Sequence, residues 1–163
     1  EDLASLEQAL TAGKIQKLKG FGKKSEAKLL KALKNHEKYV DKIILAQALK
    51  TAGEIIETIK KEVEPELYTK IEICGSSRRA KKLTGDLDIL IATAEAEQLS
   101  QKLKNLDFTA EVIGAGETKV SIRTEQGVQT DFRLVTEEEF PSALHYFTGS
   151  QAHNVRMRQL AKD

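Results

Sequence analysis

The sequence predicts an α+β fold, a mixed sheet with accompanying helices behind a small helical module, and three observations carry that prediction. Strand-like runs rich in Ile, Val and Leu recur between residues 69 and 135, helical periodicity dominates on either side of them, and lysines crowd the first quarter of the chain. The formal net charge of the 163 residues is only +1, yet Lys14 to Lys42 holds ten lysines against Glu26, Glu37 and Asp41. The basic character is therefore local, as in a solvated helix face or a phosphate-binding surface.

Taken in order, a helix is predicted over 3–12. The run Ile15-Gln16-Lys17-Leu18-Lys19-Gly20-Phe21-Gly22-Lys23-Lys24-Ser25 then sets a Gly-x-Gly turn between two short apolar-periodic segments, and Ala27, Leu29, Leu30 and Leu33 continue a helix over 23–35. This arrangement resembles a helix-hairpin-helix, whose turn amides and following helix N-terminus can receive a DNA phosphate without reading bases. Ala46, Leu49, Ile55, Ile56 and Ile59 give an apolar side to a helix over 45–63, and Pro65 marks its end. The boundary between the basic module and the rest is expected near 40–46, giving domains 1–44 and 45–163.

Beyond it, strands are predicted over 69–74, 86–92, 108–114, 118–124 and 128–135, with a helix over 95–104. Gly114-Ala115-Gly116 reads as the hairpin turn between the middle strands. Thr136-Glu137-Glu138-Glu139 is a capping-box pattern that opens a helix over 137–146, and a last helix covers 151–161.

Chemistry concentrates where two of these strands end. Gly75-Ser76 is followed by nine residues, the last of them Gly85, and then by Asp86-Leu87-Asp88 at the head of an apolar run. In a strand Asp86, Asp88 and Leu90 point to one side and Leu87, Ile89 and Ile91 to the other, so both carboxylates share a face. Carboxylates that close repel each other unless cations or a hard metal hold them ionised, and Mg²⁺ accepts one or two carboxylates together with phosphate oxygens. A third acid, Asp131, joins them if 128–135 pairs beside 86–92. A Gly-Ser turn lets backbone N–H groups approach a polyphosphate, while Ser76, Arg78 and Arg79 supply further donors. Taken singly, the turn is an ordinary strand ending with solvated arginines, and the two acids are solubilising residues at a strand edge. Together they point to nucleotidyl transfer.

These residues, with Asp131 and Tyr146-Phe147-Thr148-Gly149-Ser150, resemble the palm of the family X DNA polymerases, the group that includes polymerase beta and the bacterial and archaeal polymerase X enzymes. The resemblance runs from about residue 10 to the end and implies a nucleotidyltransferase-type palm. It implies that Asp86 and Asp88 ligate two Mg²⁺ (or Mn²⁺) ions and that Asp131 ligates the catalytic one. Ser76 and Arg79 would hold the β and γ phosphates, with Gly75 giving backbone access and Gly85 permitting close packing. Tyr146 and Phe147 would line the deoxyribose pocket, and Gly149 with Ser150 is similar to the family's cis-peptide turn. Asn154 would approach the incoming base, and Arg158 the template strand. In the basic module, Gly20, Gly22, Lys23 and Lys24 would contact DNA, and the carbonyls of Gln16, Leu18 and Phe21 would hold Na⁺ or K⁺. Without the metal motif, Tyr146 and Phe147 read as packing at a helix end, and Asn154 and Arg158 as a polar helix face. The chain departs from the pattern at Gln129, where polymerase beta has an arginine, and at Lys42, near which other members commonly place one.

The expected activity is addition of deoxynucleotides to a primer 3′ hydroxyl in gapped or primed DNA, with DNA and dNTP as partners. Template-independent terminal transfer, a noncatalytic DNA-binding module and a transferase acting on RNA or a small molecule are the alternatives. Such a reaction needs no protein nucleophile, so His36, His145 and His153 are expected to be exposed or to pack. Cys74 is expected to be a buried thiol without a disulfide partner. No apolar run is long enough for a membrane helix, and the expected state is a cytoplasmic monomer. The chain begins Glu1-Asp2 and stops a short distance past Arg158, so it is expected to be a piece of a longer protein.

Overall fold

A computed structural model describes residues 3–34 and 42–162. They fall into two compact units divided between residues 39 and 40.

The first unit is a helical pair. Helix α1 (Leu3–Thr11) leads through a single 3₁₀ turn at Ile15–Lys17 to α2 (Lys23–Lys34). The link is fastened locally: the Gln16 N–H donates to the Glu26 carboxylate (2.9 Å), and the Phe21 N–H donates to the Leu18 carbonyl (3.0 Å). Gly20 takes φ +91, a conformation that side chains resist. Lys14, Lys17, Lys19, Lys23, Lys24 and Lys28 are all exposed. The predicted last residue of this second helix, residue 35, and His36 lie outside the described residues.

The second unit opens with the short strand β1 (Ile43–Ile44) and α3 (Leu45–Glu62), followed by β2 (Lys70–Ile73), the one-turn helix α4 (Gly75–Arg78), β3 (Leu83–Thr84) and β4 (Asp86–Ala92). Next come α5 (Ala96–Asn105), β5 (Thr109–Ala115), β6 (Lys119–Thr124), β7 (Gln129–Val135), α6 (Phe140–Thr148) and α7 (Gln151–Leu160). The main sheet has the order β2-β4-β7-β6-β5; β4 and β7 run parallel and the other neighbours antiparallel. β1 pairs with β3, so residues 43–44 belong structurally with the second unit.

Strand alternation divides the sheet's two faces. Leu87, Ile89, Ile91, Val120, Ile122, Phe132 and Leu134 bury one face against Ala48, Ala52, Ile55 and Ile59 of α3 and Leu99 and Leu103 of α5. On the other, Leu90, Ala92 and Cys74 pack with Phe140, Leu144 and Phe147. Phe132 is fully buried and its ring lies 6.1 Å from that of Phe108. Truncating an aromatic so enclosed leaves a cavity as well as lost burial, and Phe132→Ala is expected to cost about 3–5 kcal/mol. Urea denaturation of the two proteins measures it.

Three details correct the sequence expectations. The capping box forms, with the Thr136 N–H on the Glu139 carboxylate (3.0 Å) and the Glu139 N–H on Thr136 Oγ1 (3.3 Å), yet regular helix begins at Phe140 instead of 137 and runs on to Thr148. Pro141 has no N–H to return to residue 137, so the ladder cannot start earlier. The hairpin turn is 116–118, closed by the Gly116 N–H on the Lys119 carbonyl (2.8 Å), while Gly114 sits inside β5 at a register shift. The short β1, β3 and α4 escaped periodicity because two to four residues carry none.

Candidate active site

The parallel ladder between β4 and β7 sets Asp88 directly opposite Asp131, and Asp86 opposite Gln129. Because side chains two apart share a face, Asp86, Asp88 and Asp131 stand on the same side of the sheet at one end of two neighbouring interior strands. Asp131 is 6% exposed. Its carboxylate is held by Lys119 Nζ at 2.5 Å and by the Gln129 amide at 3.3 Å.

Burial raises the pKa of Asp86 above the ordinary carboxylate value, and repulsion from Asp131 adds to it. Asp88 is pushed up to about 6, by burial first and by Asp86 and Asp131 next. Oxygen-only donors under mutual repulsion suit a hard divalent ion, so the three residues fit Mg²⁺ or Mn²⁺ in donor chemistry. Among the described residues, however, no three His, Cys, Asp or Glu side chains close into a finished metal cluster. The trio is aligned in register, with Asp131 drawn onto Lys119.

These shifts predict a pH response. With its folded pKa above the ordinary 3.8, Asp88 contributes stability that is complete below about pH 4 and lost as pH rises through about 6. In EDTA, Asp88→Asn is therefore expected to melt above the parent sequence near pH 7, with the difference shrinking towards pH 4. If the acids hold a divalent ion, Mg²⁺ should reverse the order at pH 7, since a hard cation prefers a carboxylate to an amide; melting curves at both pH values check this.

Around the acids lies a cavity of about 420 Å³ lined by Gly75, Ser76, Arg79, Asp86, Asp88, Tyr146, Phe147, Gly149, Gln151, Asn154 and Arg158. Gly75 opens α4 with φ +60, and a Cβ there would fall on the Asp88 carboxylate, 3.0 Å from its Cγ. The first N–H groups of a helical turn have no acceptor within it. Thr84 gives its single hydroxyl proton to the Asp86 carbonyl (2.7 Å), so in the short bond between Ser76 Oγ and Thr84 Oγ1 it is Ser76 that donates. Arg79 donates Nη1 to the Thr148 carbonyl, and its buried Nε has no hydrogen-bond partner among the described residues. Arg78 turns away to pair with Glu72 at 3.0 Å.

The far wall comes from α6 and α7, joined at a cis peptide between Gly149 and Ser150. Ser150 caps α7 by accepting the His153 N–H (3.4 Å). Asn154 and Arg158, one turn apart, both reach Tyr146: the Asn154 amide bonds its carbonyl at 2.7 Å and Arg158 its hydroxyl at 3.0 Å. Phe147 lies under the guanidinium of Arg133, 4.8 Å from the ring centre.

The structure thus brings Gly75, Ser76, Arg79, Asp86, Asp88, Tyr146, Phe147, Gly149, Asn154 and Arg158 around one cavity. Asp131 sits beside it in register, and Gly85 is an exposed bend before β4, outside the cavity wall. Gln16, Leu18, Gly20, Phe21, Gly22, Lys23 and Lys24 lie in the other unit; the Leu18 carbonyl already accepts the Phe21 N–H. Cys74 is buried, and burial above all, with Asp88 nearby, pushes its thiol up to about 12, so it stays protonated. His145 and His153 pack edge to face, 5.6 Å apart. Sequence reasoning missed Thr84, Lys119, Arg133 and Gln151. Alternation would have put Arg133 on the face of Asp131, whereas Lys119 needed the β6–β7 register.

A family model described as the DNA polymerase beta palm matches residues 44–132, and one described as the DNA polymerase beta thumb matches 143–163. The chain belongs to the family X DNA polymerases. It is 43% identical to the DNA polymerase/3′-5′ exonuclease PolX of Bacillus subtilis over 99% of its own length, spanning 28% of that protein. Against the repair DNA polymerase X of African swine fever virus it is 31% identical over 102 residues, 59% of each chain. Its fold matches Leishmania infantum polymerase beta, solved as a ternary gap complex, with a TM-score of 0.70 at 19% identity, covering 96% of this chain and 56% of that one.

Proposed function

We propose that this chain is the palm, with an adjoining DNA-holding module, of a polymerase that adds deoxynucleotides to a primer 3′ hydroxyl in gapped or primed DNA. The observation that carries the reading is the register of Asp88 against Asp131, with Asp86 on the same face and Gly75, Ser76 and Arg79 around the same cavity. Asp86, Asp88 and Asp131 would hold two Mg²⁺ or Mn²⁺ ions, which when bound acidify the primer hydroxyl and neutralise the triphosphate. Ser76 turns its hydroxyl from Thr84 to a phosphate oxygen, and Arg79 offers its spare guanidinium donors to the same group. Gly75 leaves backbone N–H groups open to it. Tyr146 and Phe147 face the sugar, Asn154 releases the Tyr146 carbonyl to meet the base, and Arg158 turns to the template strand.

In the first unit, the exposed lysines beside the Gly20–Gly22 turn support a helix-hairpin-helix that holds DNA phosphates, with Na⁺ or K⁺ at the carbonyls of Gln16, Leu18 and Phe21. A cytoplasmic monomer completes the proposal; among the described residues no helix is long and apolar enough to cross a membrane.

The test is primer extension by this chain and by its full-length parent, with dNTP or NTP, on gapped, primed and single-stranded DNA. Mg²⁺-dependent, dNTP-selective extension of gapped or primed DNA by the parent is expected. Equal extension of a bare single strand would favour terminal transfer, and DNA affinity indifferent to nucleotide and Mg²⁺ would reduce the chain to a binding module.

A further inference from the structure

Lys119 carries an inference that the catalytic reading does not use. β6 and β7 pair antiparallel with Ser121 opposite Asp131 and Lys119 opposite Arg133, so Lys119 stands diagonal to Asp131 on the carboxylate face. Its four-carbon stem reaches back to put Nζ 2.5 Å from Asp131 Oδ2. Gln129 takes Oδ1 at 3.3 Å, so both oxygens of this acid are engaged. Asp86 and Asp88 have no ion pair among the described residues. Arg133 shares the face and acts on Asp88, while Lys119 acts on both Asp86 and Asp88 as well as pairing with Asp131.

The two partners differ in where they can go. The Asp131 side chain is 8% exposed and the Lys119 side chain 36%. If the pair opens, the ammonium can swing into water on its flexible stem, whereas the carboxylate stays on its strand. A divalent ion needs the lone pairs of Oδ2 that the ammonium now covers.

We propose that Lys119 is a positioning residue: an exchangeable counter-cation that holds the Asp131 carboxylate in place until a divalent ion displaces it, and that therefore competes with that ion. This rests on the three acids being a divalent-metal site, as proposed above. Removing Lys119 lifts the competition and leaves Arg133 as the remaining cation on that face, which raises the attraction of the three carboxylates for a divalent ion while weakening the metal-free fold. Arginine at 119 keeps the charge and is expected to preserve both properties.

The experiment is Mn²⁺ titration of this chain, free ion followed by electron paramagnetic resonance, with melting in EDTA. Wild type, K119M, K119Q, K119R, D131N and the double variant K119M/D131N are compared. K119M and the polar K119Q are expected to bind Mn²⁺ roughly tenfold tighter than wild type and to melt lower without metal, with K119R close to wild type. On the D131N background K119M should alter Mn²⁺ affinity clearly less than on wild type, because the direct competition runs through Asp131 and only the longer-range action on Asp86 and Asp88 remains. Wild type that binds Mn²⁺ in an Asp131-dependent way, with K119M and K119Q unchanged or weaker, overturns the inference alone. Wild type that binds no Mn²⁺ overturns the metal-site reading and this inference with it. Should K119M fail to fold, K119Q and K119R decide the matter by the same two readouts.

Discussion

Asp131→Ala is expected to lower Mg²⁺-dependent primer extension by the full-length parent by roughly 10³-fold or more, the largest effect of any single change considered. A divalent ion supplies several kcal/mol of charge stabilisation in such a displacement, and each 1.4 kcal/mol or so is a factor of ten in rate. Asp131 is the acid on the second strand, opposite Asp88, so neither Asp86 nor Asp88 can cover for it. The fold should survive, since alanine keeps the strand pairing and the ion-pair partner it leaves behind, Lys119, is free to move into solvent. Steady-state extension of a gapped substrate, with a melting curve as control, makes the measurement. Undiminished extension would reject the assignment.

Gly75→Ala should come second, with an effect on activity close to that of losing Asp88. The new methyl would fall on the Asp88 carboxylate, 3.0 Å from its Cγ and 3.2 Å from its Cβ. Something must give, and the carboxylate is the softer of the two parties because Cα of residue 75 is fixed by the turn into α4. Asp88 would be swung off the face it shares with Asp86 and Asp131. The backbone adds its own cost, since φ +60 costs a side-chain-bearing residue about 1–2 kcal/mol. Gly53 is the internal control: it lies within α3 with nothing within 4 Å of an added Cβ, and Gly53→Ala is expected to stabilise the protein by about 0.5–1 kcal/mol. Urea denaturation and extension assays on both variants separate a general glycine effect from the specific one at Gly75.

Much of this was legible before any coordinates, and the reason is periodicity. Leu87, Ile89 and Ile91 alternate with Asp86, Asp88 and Leu90, and that alternation alone placed the acids over an apolar floor, where they are found. Phe132 and Leu134 did the same for Asp131. Unseen were contacts that depend on register between strands, such as Lys119 against Asp131, and those made by very short elements. Thr84, which joins Ser76 to the Asp86 backbone, lies in a two-residue strand with no pattern to announce it. Arg79 was picked out as a phosphate ligand, but its bond to the Thr148 carbonyl links residues 69 positions apart and follows only from the fold.

The parallel pairing of β4 with β7 has one more consequence. It splits the carboxylates between two stretches of polypeptide that a single cut in the Gly116–Thr118 turn would part, two acids on the leading piece and one on the trailing piece. Each piece by itself would lack part of the proposed metal site, and Mn²⁺ binding regained after mixing them would report on nothing but how well the halves find each other again.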